Sequence, residues 1–359
     1  MTRWSWKLGE FAGIGVYVHA TFLLLVAWLG FRHYQAGDSI AATVSGILFV
    51  LAIFACVLLH EYGHALTARR YGVKTRDIIL LPIGGVARLE RIPEDPRQEL
   101  WVALAGSAVN VVIATLLFVW LRSTGAMVPA GQLAVEQGPF FQRLMLVNVF
   151  LVLFNMLPAF PMDGGRVLRA FLALRLPYPR ATQIAATVGQ ALALLFGFLG
   201  LIGNPFLLFI ALFVWIGAAQ ESSLVQIKSA LGGIPLRHVM LTDFHRLAPG
   251  DPLERAIELT LASTQKDFPV VDGERVVGIL TQGALIRGLQ EHGQAAAVDT
   301  IMERKFELAD PAEMAEGVLM RLQSCDCRLL PVVRDGRLVG LVNLENVGEF
   351  LQIRSALKT

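Results

Sequence analysis

The sequence predicts a polytopic α-helical membrane domain of about six transmembrane helices, followed by a soluble α/β domain pair. Three observations predict it. The composition is 55% hydrophobic and 17% charged, with a mean hydropathy of +0.57, too apolar for an ordinary water-soluble globule. Up to about Glu221 the apolar residues are gathered into runs of membrane-spanning length. After Leu231-Gly232-Gly233 the composition turns to a soluble α/β pattern that repeats at a fixed offset. The division expected is a membrane domain over 1–225, a linker over 226–235, and two repeat units over 236–292 and 296–359.

Six runs read as spans: approximately Val16–Phe31, Ile40–Leu66, Leu100–Leu121, Phe140–Leu157, Thr182–Gly203 and Pro205–Gln220. The first is short enough to tilt or to lie partly at the interface. The last two are separated by Ile202-Gly203-Asn204-Pro205, whose glycine and proline mark a turn. Arg3 and Lys7 precede the first span. Arg69, Arg70, Lys74, Arg76, Arg88, Arg91 and Arg97 lie between the second and third, and Arg166, Arg169, Arg175 and Arg180 between the fourth and fifth. The alternate loops are poor in cations, so both termini and the soluble pair are expected on the cytoplasmic side of a multi-pass cell-membrane protein. The lipid bilayer is thus one partner, and the small net charge of +2 argues against nucleic acid.

Chemistry enters where the second run ends. His60-Glu61-Tyr62-Gly63-His64 follows Ile40–Leu59, in which only the Cys56 thiol is ionisable. Ionisable groups at such a depth are expensive and therefore a functional hypothesis. On a helix His60 and His64 share a face one turn apart, as two ligands of one zinc ion would, and Glu61 lies beside them as a candidate general base. A third ligand is expected, and Asp163 is the best candidate. It follows the helix-breaking Pro158 and Pro161 and precedes Gly164-Gly165; a helix N-cap is the alternative reading of that aspartate. Val73–Glu90 reads as two short strands around Gly84-Gly85, either an edge for an unwound peptide or a plain interfacial connection. Asn110, within Ala105-Gly106-Ser107-Ala108-Val109-Asn110, reads as part of a tightly packed helix face. His19 reads as structural or interfacial, and Cys56 as a packing residue.

His-Glu-x-x-His in one span, with Asn155-Met156-Leu157-Pro158-Ala159-Phe160-Pro161-Met162-Asp163-Gly164-Gly165 after a later one, resembles the site-2 protease family of intramembrane zinc metalloproteases. The resemblance implies one zinc ion per chain held by His60, His64 and Asp163, with Glu61 activating water. It also implies that Asn155 positions a substrate carbonyl or developing oxyanion, an interhelical hydrogen bond being the competing role. A transmembrane protein would be the substrate; a membrane-tethered transcription factor, an anti-sigma factor and a signal-peptide remnant all suit. Six spans followed by the repeat resemble, more narrowly, the subgroup that includes a sporulation protease acting on a pro-sigma factor.

The repeat rests on three anchors 62 residues apart: Val239-Met240 with Ile301-Met302, Pro269 with Pro331, and Gly278-Ile279-Leu280 with Gly340-Leu341-Val342. Each copy reads helix, short buried strand, turn, second strand, helix. This resembles a tandem pair of cystathionine-β-synthase (CBS) domains, which implies regulation, an adenine nucleotide between the copies and a homodimer. Thr281 and Asn346 are the candidate nucleotide residues. Both copies lack the ribose-binding aspartate, so protein docking or dimerisation competes with nucleotide sensing. The three cysteines suggest a reducing compartment for the C-terminal part, and Cys325-x-Cys327 is a weak candidate for metal or redox chemistry. A CBS-regulated transporter with a structural metal and a catalytically inactive binding homologue are the other classes; paired broken spans in matching halves are lacking for the first, and intact His60, Glu61, His64 and Asp163 argue against the second.

Overall fold

The first apolar run begins as a strand. From Ile14 to Val18 burial alternates, with Ile14, Val16 and Val18 inward, and that period of two is the signature of a β-strand. Val16–Phe31 is therefore not one span. In this computed structural model, which describes residues 4–35, 37, 39–82, 84–89, 95–128, 138–324 and 328–357, the chain runs β1 (Ser5–Phe11), β2 (Ile14–His19), then helix α1 (Ala20–Gln35). At its 16 residues α1 is about 24 Å long, short of the ~30 Å hydrocarbon layer.

Two compact units emerge, Met1–Ser223 and Leu224–Thr359. In the first, α2 (Ile40–Arg70) is capped by Ser39, whose hydroxyl accepts from the Ala42 N–H, and ends on Arg69 and Arg70, which suit the negative end of a helix. The chain then turns through β3 (Thr75–Leu81) and β4 (Gly84–Leu89) and enters α3 (Pro96–Ser123), started by the Asp95 cap and Pro96. Next come α4 (Phe140–Asn155), α5 (Asp163–Ala173), α6 (Tyr178–Ile202) and α7 (Phe206–Leu231). Among the described residues α2, α3, α6 and α7 are long and apolar enough to cross a membrane, while α1 and α4 are shorter apolar helices. Leu116, Phe150, Leu153, Leu194 and Leu201 face outward, the surface that hydrocarbon would cover.

The four strands form one sheet in the order β1-β2-β3-β4, with β2 and β3 parallel and the other pairs antiparallel. Asp77 and Arg88 face each other across β3 and β4 and form an ion pair that holds this register. β4 is an edge strand that lies on α2. A Cβ on Gly85 would stand 2.7 Å from Glu61 Cγ, so only glycine lets strand and helix approach this closely.

One sequence reading changes here. Arg169, grouped with the loop cations, lies on α5 with no solvent exposure, between Glu99 of α3 and Glu221 of α7. Its Nε donates to Glu99 at 2.8 Å and its Nη1 to Glu221 at 2.5 Å. The guanidinium also lies over the rings of Phe160 and Tyr178, 4.9 and 5.0 Å from their centroids. A buried cation is tolerable only with this degree of pairing. The loop before α5 packs through glycine: Cβ atoms on Gly164 and Gly165 would collide with the backbone of Met156–Leu157 and Ala159–Phe160.

The second unit is built from α8 (Leu253–Ala262), β5 (Phe268–Asp272), β6 (Arg275–Leu280) and α9 (Gln282–His292), repeated as α10 (Ala315–Ser324), β7 (Leu329–Arg334), β8 (Arg337–Asn343) and α11 (Leu344–Leu357). The copies exchange contacts reciprocally. Gly278 packs on Met302 and Gly340 on Met240; the Ile279 N–H donates to Glu303 and the Leu341 N–H to Leu241. Every partner in one set lies 62 residues from its counterpart in the other, so the two halves are related by a pseudo-dyad within one chain.

Candidate metal centre

The site begins with one turn of α2. His60 and His64, each 5% exposed, set their rings edge to face with centroids 4.7 Å apart. Asp163, the first residue of α5, brings its carboxylate to the same point. His60 Nε2 and His64 Nε2 are 3.0 Å apart, and each lies 3.1 Å from Asp163 Oδ2. These three are the His/Cys/Asp/Glu cluster able to hold a metal ion among the described residues.

The outward ring nitrogens decide what faces inward. His64 Nδ1 is 2.7 Å from the Val102 carbonyl, which only accepts, so that nitrogen carries the proton. His60 Nδ1 is 2.5 Å from Asn110 Oδ1. Both Nε2 lone pairs therefore converge on the Asp163 carboxylate, an arrangement of acceptors that needs a cation among them. A zinc ion with bonds of about 2.0–2.1 Å sets tetrahedral donors roughly 3.3 Å apart, close to the observed triangle. The backbone leaves the room as well: a Cβ on Gly106 of α3 would overlap His64 Nε2 and stand 2.7 Å from His60 Nε2. The residues present fit a small divalent cation with nitrogen and oxygen donors.

Glu61 adjoins the pair on α2 and is partly buried beneath β4. Gly84 has a φ of +138°, a conformation suited to glycine, and starts β4. Asn155 is the last residue of α4; the following Met156 and Leu157 carbonyls press on Gly164, the neighbour of Asp163. Among the described residues no hydrogen bond engages the Asn155 amide.

Other candidates lie elsewhere or do other work. His19, at the end of β2, bonds with Thr21. Cys56 is more than a packing residue, since its sulfur is 3.4 Å from the Asn148 amide nitrogen. Thr281 caps α9 and reaches Glu303, and Asn346 lies on α11 with a buried amide oxygen that has no hydrogen-bond partner among the described residues. Cys325 and Cys327 lie outside the described residues, as do Arg3 and Arg91. Sequence reasoning missed Gly106 and misjudged Asn110, which is wholly buried against His60 rather than an incidental part of a packing face. The available signal was Asn110 itself, an amide in an apolar helix four residues beyond Gly106 on the same face.

An apolar helical bundle enclosing a His-His-Asp cluster with a glutamate alongside belongs to the class of membrane metalloproteases. Comparison with known proteins agrees. The family model described as peptidase family M50 matches residues 48–137 and 126–196, and the CBS domain model matches residues 236–291. A zinc metalloprotease of Methanocaldococcus jannaschii is 32% identical over 361 residues, spanning 99% of each chain. Rip3 of Mycobacterium tuberculosis is 28% identical over 378 residues, 96% of this chain and 92% of its own. Among solved structures, a site-2 protease from Methanocaldococcus jannaschii shares 38% identity, covering 61% of this chain and 95% of that one at a TM-score of 0.45. The chain belongs to peptidase family M50, the site-2 proteases, and carries a C-terminal CBS pair.

Proposed function

We propose that the protein is a zinc-dependent intramembrane endopeptidase that hydrolyses a peptide bond within or beside a transmembrane segment of its substrate. The observation that carries this reading is the buried triangle of His60, His64 and Asp163 with Glu61 adjoining it under an edge strand. His60, His64 and Asp163 are the metal ligands. Bound zinc would polarise the scissile carbonyl and make water a better nucleophile at neutral pH. Glu61 takes the proton of the attacking water and delivers it to the leaving amine.

A helical substrate hides its carbonyls in its own hydrogen bonds, so it must unwind before it can react. The free edge of β4, from Gly84 and Gly85 onward, offers backbone partners to an extended peptide directly above Glu61. Asn155 donates its amide to the substrate carbonyl oxygen as negative charge develops there. Cation-rich connections support cytoplasmic termini and a cytoplasmic CBS pair, with the division into 1–225, 226–235, 236–292 and 296–359 retained. The substrate is a membrane-tethered regulatory protein such as a transcription factor or anti-sigma factor, and the CBS pair regulates cleavage.

Purified protein reconstituted in liposomes with a single-span model substrate tests the proposal. The parent should cleave and contain one zinc per chain. Glu61→Gln should retain the zinc and lose cleavage; full activity in that variant removes Glu61 from the mechanism, and a zinc-free active preparation removes the metal.

For the CBS pair, protein docking or dimerisation is favoured over nucleotide sensing. Thr281 is already engaged with Glu303 and the start of α9, and neither copy supplies the expected aspartate. Calorimetry of the full chain with ATP and with AMP separates the two: heat with either restores the nucleotide reading.

A further inference from the structure

His60 and His64 look alike as ligands but are held differently. His64 Nδ1 donates to a backbone carbonyl, which no substitution at Val102 removes. His60 Nδ1 depends on side chains alone. Its partner Asn110 Oδ1, at 2.5 Å, belongs to an amide whose nitrogen donates to Asn148 Oδ1 at 2.8 Å. The Asn148 nitrogen in turn donates to the Leu144 carbonyl at 2.9 Å and lies 3.4 Å from Cys56 Sγ. Both asparagines have no solvent exposure.

The chain of bonds has one direction. Leu144 O can only accept, so the Asn148 nitrogen must face it and the Asn148 oxygen must face Asn110. Asn110 then turns its nitrogen to Asn148 and its oxygen to His60, and His60 Nδ1 must carry a proton. Reversing either amide would oppose two carbonyl oxygens or two N–H groups in a site that water does not reach, which is costly. The network also closes on α2, since Cys56 lies one turn before His60. Two buried amides in apolar helices are poor packing choices by themselves. What they supply is the acceptor that His60 Nδ1 meets among the described residues.

We propose that Asn110 and Asn148 are positioning residues: a polarised amide relay that fixes His60 as its Nδ1–H form and leaves Nε2 free to bind the metal. Without the relay the proton can pass to Nε2 and remove that donor. The inference rests on the metal-centre reading above, and it assigns the two asparagines no contact with substrate.

The test measures zinc affinity of the full-length protein in detergent by competition with a chromophoric chelator, alongside the thermal unfolding midpoint of the zinc-free form. Asn110→Leu should weaken zinc binding by roughly 10–100-fold, the usual effect of losing a ligand's outer partner. Asn110→Asp, which still offers an acceptor to Nδ1, should stay within a few-fold of the parent. Asn148→Leu should weaken binding less than Asn110→Leu, and the double Leu variant should be no worse than Asn110→Leu alone, because both act through one bond. The zinc-free midpoint of each variant separates a loss of fold from a loss of affinity. Unchanged affinity in Asn110→Leu overturns the relay. So does an Asn110→Asp variant as weak as Asn110→Leu, or losses that simply add. Failure of the parent itself to bind zinc overturns the metal centre, and the relay with it.

Discussion

Gly106 of α3 lies against the imidazole of His64 with no space for a methyl group between them. A Cβ on Gly106 would overlap His64 Nε2 and stand 2.7 Å from His60 Nε2, the two nitrogens that face Asp163. Gly106→Ala should therefore abolish zinc binding while the helices remain assembled, since the nearest collisions are with the two imidazoles rather than with helix backbone. Gly197→Ala on α6, where the nearest atom would be 3.8 Å away, is the matched control and should retain the metal. Zinc content after size-exclusion chromatography reads both variants; a fully loaded Gly106→Ala protein contradicts the geometry.

Gly85 makes the complementary prediction on the substrate side. A Cβ there would stand 2.7 Å from Glu61 Cγ and 3.2 Å from Val57 Cγ1. Gly85→Ala should push the Glu61 carboxylate aside and lift β4 from α2 while the zinc ligands stay put. Zinc content should be normal and cleavage should fall by on the order of 100-fold, the penalty for displacing a reacting group by about 1 Å. Loss of zinc in this variant would instead mean that β4 supports the metal ligands.

The buried ion cluster around Arg169 is a stability element. Arg169→Met leaves Glu99, 2% exposed, without its cation, and removing one partner of a buried pair costs about 3–5 kcal/mol. A clear drop in the detergent unfolding midpoint is expected. Arg169→Lys should rescue little, because a single ammonium cannot reach both Glu99 and Glu221 as the guanidinium fork does. Arg169→Met with Glu99→Met should recover part of the loss. Wild-type stability in Arg169→Met would show that the cluster is expendable.

Metal removal offers a test free of mutations. A ligand that binds only the folded state at 100 times its dissociation constant stabilises it by about 2.7 kcal/mol. A chelator should therefore lower the unfolding midpoint, and added zinc should restore it. The same treatment should leave an Asp163→Ala variant almost unmoved. Equal responses of the two proteins would remove Asp163 from the metal centre.

Much of the architecture was legible because the patterns that announce it are local. His60 and His64 share a face through the helical repeat alone, and Pro158 and Pro161 end α4 by removing backbone donors. Gly84-Gly85 announces the β3–β4 hairpin, although both glycines lie in β4 just after the turn, and matched prolines and glycines reveal the duplicated unit. Even the error over Val16–Phe31 was local: the alternation of Ile14, Val16 and Val18 was present but was absorbed into the apolar run that continues through α1.

Arg169 shows where such reading stops. As a cation between two spans it is indistinguishable in sequence from Arg175 or Arg180, yet its partners lie 70 and 52 positions away. Asn110 is similar, because its bond to His60 crosses 50 positions and its bond to Asn148 crosses 38.

The sequence by itself determined the membrane class, the order of the long apolar helices, the strand pair between α2 and α3, the paired repeat and the two histidines of one helical turn. Each follows from periodicity, composition or punctuation within a short window. Only the tertiary structure decided that Asp163 meets those histidines across 99 positions, that Gly106 makes way for the metal and that Asn110 directs the ring of His60. Those relations depend on how far each helix is rotated and slid against its neighbours. Close packing of whole helices sets that rotation and slide, and no local pattern of residues encodes it.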